Sequence, residues 1–215
     1  MNNTAEKVAK ILLGIKAVSL NPKKPFRYTS GMLSPIYTDC RILMSYPKER
    51  RIVRDLLIDN ITKAGNFDVI AGTATAGIPH AAWIADKMNL PMIYVRGQPK
   101  GHGKENQIEG LLKQGQKAAV IEDLISTGKS SIETAKAIRD KGGSALVVFS
   151  IMTYSLKKAK DSFKENNIKH IFLTDFQTIV HVAEKCSYLN KKGQQTALEW
   201  AKDPTSWGKK MGFEV

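Results

Sequence analysis

From residue 68 to residue 173 the chain repeats one pattern: a short apolar run, a turn, then a stretch with helical spacing. Strands are expected over 68–71, 91–96, 118–121, 145–151 and 170–173, and helices over 79–88, 131–141 and 155–166. Few folds accept such a rhythm. Parallel strands need crossover connections, and the crossover helices then cover both faces of the sheet. The run over 145–151 is almost wholly apolar, as a strand buried on both faces has to be. The fold class read from this is α/β, a parallel sheet flanked by helices. In such sheets ligands gather beyond the carboxyl ends of the strands, so the segments that follow strands are where function is to be sought.

Ahead of that core, Val8, Ile11, Leu12 and Ile15 share one face of a helix expected over 4–18. A Pro- and Lys-rich loop follows over 21–25, then a short strand over 36–40 and a helix over 47–64 with Gly65 past its end. No repeat or linker divides the chain. It reads as one domain over 1–215, with an N-terminal helix and hood over 1–45 and a sheet core over 66–175. A mobile loop is expected over 96–110.

Composition removes several classes. The 215 residues are 42% hydrophobic and 25% charged, enough for one buried core. No apolar run approaches the ~20 residues of a membrane span, and residues 1–19 carry Glu6, Lys7, Lys10 and Lys16 where a secretory signal would be apolar. Cys40 and Cys186 are the only cysteines, too few for a disulfide framework or a zinc site, so a cytoplasmic setting is expected. The net charge of +13 predicts attraction to anions. The Lys and Arg residues are dispersed, which favours a solvated surface and phosphorylated substrates over nucleic acid.

Three loops carry the chemistry. The first, Gly72-Thr73-Ala74-Thr75-Ala76-Gly77, feeds a helix that starts near Pro79. Small residues let backbone N–H groups approach an anion, and the helix N-terminus favours negative charge. A plain strand-to-helix turn is the alternative. A Walker A loop is excluded, because Ile78-Pro79 stands where Lys-Ser/Thr is required. The second loop runs from an apolar strand into Glu122 and Asp123, then Leu124-Ile125-Ser126-Thr127-Gly128-Lys129-Ser130. Ser130 and Glu133 have capping-box spacing, so 127–130 is expected to cradle a monophosphate at a helix start. Two acids beside a phosphate site make sense if a polyol or a Mg2+ ion lies between; otherwise they end the strand in solvent. The third loop, 96–107, holds Arg96, Lys100, His102 and Lys104 among three glycines and a proline. It reads as a basic lid over a polyphosphate or, failing that, as a basic surface loop. One ligand satisfies all three loops: phosphoribosyl pyrophosphate with Mg2+.

At this point the chain resembles the type I phosphoribosyltransferases and, among them, the orotate phosphoribosyltransferases. Residues 118–130 are similar to the family's phosphoribosyl-pyrophosphate motif, with Glu122 replacing the more usual first Asp. Residues 96–103 are similar to the catalytic loop, with Lys100 and His102 separated by one residue. Ser30-Gly31-Met32-Leu33-Ser34-Pro35-Ile36-Tyr37 is similar to the N-terminal signature whose aromatic residue helps hold the pyrimidine. Three departures stand out: Gly97 and Thr29 replace lysines common in relatives, and Met152-Thr153-Tyr154 lies where some relatives place an Arg for the base.

The resemblance implies a type I phosphoribosyltransferase fold with an N-terminal hood over the base. It implies Lys100, His102 and Asp123 as catalytic residues. It implies that Thr73, Arg96, Lys100, His102, Lys104, Glu122, Asp123, Leu124, Ile125, Ser126, Thr127, Gly128, Lys129 and Ser130 meet phosphoribosyl pyrophosphate. Tyr37 and Ser126 would meet orotate, and Mg2+ would be held through phosphoribosyl pyrophosphate. The expected assembly is a homodimer that shares the loop 96–110, without nucleic acid or membrane. Two competing readings are a phosphoribosyltransferase for a purine or uracil, and a non-enzymatic regulator of this fold that binds nucleic acid.

Overall fold

The computed structural model describes residues 3–28, 30–97 and 107–213. Its centre is a six-stranded sheet: β5 (Val69–Thr73), β6 (Met92–Val95), β7 (Ile108–Glu109), β8 (Lys117–Ile125), β9 (Ser144–Thr153) and β10 (Lys169–Asp175). The spatial order is β10-β9-β8-β5-β6-β7, parallel throughout except for β7, which returns antiparallel to β6.

Side chains alternate across each strand and so split the core in two. Ala118 and Val120 pack with α4 (Lys129–Asp140) and α5 (Lys157–Glu165) on one face. Ala119 and Ile121 pack with the opposite layer, α1 (Asn3–Gly14), α2 (Pro47–Ala64), α3 (Gly77–Met88) and α6 (Phe176–Lys185). Gly77 opens α3 hard against β8, where a Cβ would overlap the Ile121 carbonyl oxygen. The first loop is thereby pinned to the strand that carries the acids.

Several boundaries differ from the sequence expectation. The first helix stops at Gly14, and Lys16 takes a left-handed φ of 58°. That turn releases β1 (Val18–Leu20) to pair antiparallel with β4 (Ile36–Thr38). Strand β8 does not end at residue 121. It continues to Ile125 because Glu122 and Leu124 stand opposite Ser150 and Met152 of β9. The capping box at Ser130 does not form: α4 starts at Lys129 behind Gly128, whose φ is +79°, and Glu133 lies 3.8 Å from Lys129. A Cβ on Gly128 would also meet the Phe163 ring.

The hood consists of β1–β4, with β2 (Phe26–Arg27) paired to β3 (Leu33–Ser34), and a 3-10 turn over Cys40–Ser45. The chain's end completes it. Helices α7 (Lys191–Lys202) and α8 (Pro204–Lys210) bury Trp200 and Trp207. Trp200 Nε1 donates to the Leu33 carbonyl at 3.2 Å, and Gly208 abuts the Leu33 side chain. No helix among the described residues is long and apolar enough to cross a membrane.

Candidate active site

Glu122 and Asp123 stand next to each other toward the carboxyl end of β8, and the Asp123 N–H donates to Glu122 Oε1 at 3.4 Å. Glu122 is 5% exposed, and its Oε2 accepts from the Ser130 and Ser131 hydroxyls, each at 3.0 Å. Burial, and secondarily the charge of Asp123, raises its carboxyl above the ordinary glutamate range. Burial also raises Asp123, although its Oδ1 accepts the Leu124 N–H at 2.7 Å. Both acids line a cavity of about 380 Å³ together with Thr38, Asp39, Arg41, Leu124, Ser130 and the 74–76 loop. Arg41 is a forked partner of Asp39, with Nε–Oδ1 at 2.7 Å and Nη2–Oδ2 at 3.0 Å. That pairing holds Asp39 below the ordinary aspartate range.

A second cavity, about 480 Å³, shares Thr38 and Leu124 with the first and opens beneath the hood. Its walls include Tyr28, Tyr37, Ser126, Thr127 and Tyr154. Tyr28 Oη donates to the Ile36 carbonyl at 2.7 Å, which leaves Tyr154 to donate across the 3.1 Å gap between the two hydroxyls. Burial raises both phenols, so they stay neutral donors and acceptors. Tyr37 is 45% exposed on β4, its ring 5.8 Å from that of Phe26. A larger hollow of about 580 Å³ beside α6 and α7 lies behind Tyr154, away from both acids.

The remaining expected site residues fall in distinct places. Thr73 ends β5, is buried, and leaves its Oγ1 without a hydrogen-bond partner. Ser126 and Thr127 face the second cavity, and Ser130 faces the first. Ile125 is a core residue on the α5 side, and its carbonyl accepts the Tyr154 N–H at 2.9 Å. Lys129 is exposed beside Glu133. Arg96 sits at the stem of the third loop: its N–H donates to the Gln107 carbonyl at 2.9 Å, Gln107 Nε2 returns to the Arg96 carbonyl at 2.8 Å, and Nη1 lies 3.6 Å from Glu109. Ile108 and Glu109, at the far end of that loop, are strand. Lys100, His102 and Lys104 lie outside the described residues.

Arg27, Tyr28, Thr38, Asp39 and Arg41 line the cavities and were not singled out from the sequence. The 30–37 signature adjoins them on both sides, but only the β1–β4 and β2–β3 pairings bring them round to β8. Among the described residues no three His, Cys, Asp or Glu side chains converge on a metal site of their own. The donors facing the cavity are hard carboxylate oxygens, a set that fits Mg2+ carried on the oxygens of a bound diphosphate.

A doubly covered parallel sheet, adjacent acids near the end of a central strand and a hood beside them are the features that the resemblance to phosphoribosyltransferases implies. The sequence profile of the phosphoribosyl transferase domain matches residues 43–189. The orotate phosphoribosyltransferase of Coxiella burnetii is 49% identical over 206 residues, covering 95% of this chain and 99% of that protein. That of Enterococcus faecalis is 48% identical over 210 residues, covering 97% and 100%. In structure, the crystal structure of orotate phosphoribosyltransferase from Aeropyrum pernix superposes with a TM-score of 0.74 at 27% identity, covering 85% of this chain and 99% of that one. The chain belongs to the orotate phosphoribosyltransferase family.

Proposed function

We propose that the chain transfers a phosphoribosyl group from phosphoribosyl pyrophosphate to orotate, giving orotidine 5′-monophosphate and pyrophosphate, a step in the making of UMP. The observation that carries this reading is the pair of joined cavities. One is lined by Glu122, Asp123 and the 74–76 loop, the other by aromatic and hydroxyl side chains under the hood. An activated ribose fits the first, with its hydroxyls toward the acids and its 5′-phosphate at the start of α4. A flat pyrimidine fits the second, beside Tyr37.

In the reaction the C1′–O bond breaks, its electron pair leaves with pyrophosphate, and the base nitrogen N1 forms the new bond to C1′ as it gives up its proton. No enzyme nucleophile is required. The sugar passes through an oxocarbenium-like state that carboxylates tolerate, so Asp123 stabilises the developing positive charge while it orients the ribose. Thr73 Oγ1, buried and unpartnered, offers a hydrogen bond beside the pyrophosphate. Mg2+, when bound, neutralises charge on the diphosphate. By family resemblance, Lys100, His102 and Arg96 close on the leaving group, and His102 gives it a proton. The homodimer that shares residues 96–110 rests on the same resemblance. A cytoplasmic setting is supported by Cys40 and Cys186, both free thiols.

The test is the fall in orotate absorbance when phosphoribosyl pyrophosphate and Mg2+ are added. The reading fails if orotate persists while uracil, hypoxanthine, guanine or adenine is consumed.

A further inference from the structure

We propose that Arg41 is a pyrophosphate-binding residue, which meets the diphosphate end of phosphoribosyl pyrophosphate in the cavity it shares with the 74–76 loop. This rests on the phosphoribosyl pyrophosphate reading of that cavity and adds a residue to it. A diphosphate that enters needs cations or converging donors, because the same walls carry the carboxyl groups of Asp39, Glu122 and Asp123.

Among the described residues that line this cavity, Arg41 is the single cation. Its side chain is 56% exposed, and Asp39 holds one edge of the guanidinium through Nε at 2.7 Å and Nη2 at 3.0 Å. Those bonds use two of the five donor hydrogens. Both hydrogens on Nη1 and the second on Nη2 make no other hydrogen bond among the described residues. A planar fork fixed along one edge presents the other, the geometry that suits a phosphate. The carboxylate that fixes it also fixes its plane, so little side-chain freedom is left to lose on binding.

The backbone beneath Arg41 is tied down on both sides. The Asp39 N–H donates to the Ala17 carbonyl at 2.8 Å, and Asp39 Oδ1 accepts the Arg41 N–H at 3.1 Å. Cys40 and Leu43 are buried and anchor the 3-10 turn in the core, which leaves position 41 on its outer side. The charge of Arg41 reaches Asp123: burial raises that carboxyl, and Arg41 works against the rise. The guanidinium and the acid assigned to the ribose therefore act on one space.

The test titrates inorganic pyrophosphate with Mg2+, and separately ribose 5-phosphate, into the parent protein, Arg41→Ala, Arg41→Gln and Arg41→Lys by calorimetry. The first two variants should bind pyrophosphate about tenfold more weakly or worse, the loss expected of a charge-assisted pair, and raise the KM for phosphoribosyl pyrophosphate alike. Arg41→Lys should fall between, since it keeps the charge and loses the fork. Affinity for ribose 5-phosphate and the KM for orotate should stay within about twofold. The exposed side chain can be removed without touching the core, so melting temperatures should match the parent's, and Arg41→Gln gives a second reading if Arg41→Ala does not fold. The double variant Asp39→Asn with Arg41→Ala should remain weak toward pyrophosphate. Parent-like affinity in that double variant would show that Arg41 only neutralises Asp39, and it overturns the proposal. Unchanged pyrophosphate affinity in Arg41→Ala and Arg41→Gln overturns it too, as does equal weakening of pyrophosphate and ribose 5-phosphate. Pyrophosphate binding is read without any base, so a parent protein inert toward orotate overturns the orotate reading alone.

Discussion

The Ser130 hydroxyl donates to Glu122 Oε2 at 3.0 Å, tying the first turn of α4 to the end of β8. Ser131 does the same, so a buried carboxylate is held by two neutral donors with Asp123 beside it. Its raised pKa means that the native fold resists ionising this group. Native Glu122 holds its proton at pH values where the unfolded chain has lost it, so stability falls as pH rises above the ordinary glutamate range. Glu122→Gln keeps an acceptor for both hydroxyls and removes the charge. The ligand-free variant should melt higher than the parent, by more at pH 9 than at pH 6, while affinity for phosphoribosyl pyrophosphate drops. Thermal melts across that range and a calorimetric titration measure both effects.

Lys100 and Asp123 should separate rate from binding. Lys100→Ala should lower kcat by about a hundredfold or more with little change in stability, the loss typical of one donor that serves only the transition state. Asp123→Asn should mainly weaken phosphoribosyl pyrophosphate, by about tenfold for one charge-assisted hydrogen bond. Near-normal turnover in the first variant, or unchanged affinity in the second, would remove that residue from its role.

Trp200 braces the hood from the chain's end. It meets Tyr154 edge-on at 5.4 Å and holds the Leu33 carbonyl. Trp200→Ala should cost about 3–5 kcal/mol in denaturant unfolding, as large-to-small changes in a packed core do. Trp200→Phe removes the indole N–H and should cost about 1–3 kcal/mol. Its orotate KM should rise more than its KM for phosphoribosyl pyrophosphate, because Tyr154 walls the base cavity.

His170 and His80 make the fold sensitive to acid. Burial lowers each imidazole from 6.5 to about 4, with the charge of Arg50 a second cause at His80. Between those values the unfolded chain takes up protons that the native state refuses, so stability present above pH 6.5 is lost as pH falls toward 4. His170 sits on the Phe163 ring and hydrogen-bonds Ser150 at 2.8 Å. His170→Asn should lower stability at pH 7 yet flatten its fall toward pH 4, which urea titrations at several pH values can read.

Local order along the chain was legible wherever one residue type served one purpose. The apolar runs located β5, β6, β8, β9 and β10. The acids after 121 and the glycines of 72–77 marked two loops that the structure brings to one cavity. Chain contacts hid the remainder. Strand β8 runs four residues beyond its apolar stretch because β9 supplies hydrogen bonds to a polar segment. The spacing of Ser130 and Glu133 fits a cap, yet the Ser130 hydroxyl goes to Glu122, eight positions away. The two-residue strands β2 and β3 carry no periodicity to read.

By itself the sequence determined the alternation of strands and helices and the loops that follow the strands, since propensity, small residues and charge act over a few neighbouring positions. Only the tertiary structure decided that Thr38, Asp39 and Arg41 would face Glu122 and Asp123, that Arg27 and Tyr154 would line one cavity beneath the hood, and that Trp200 would hold Leu33. Those residues meet through sheet pairing and core packing, and contacts between distant parts of a chain are set by the three-dimensional burial of apolar surface rather than by spacing along the backbone.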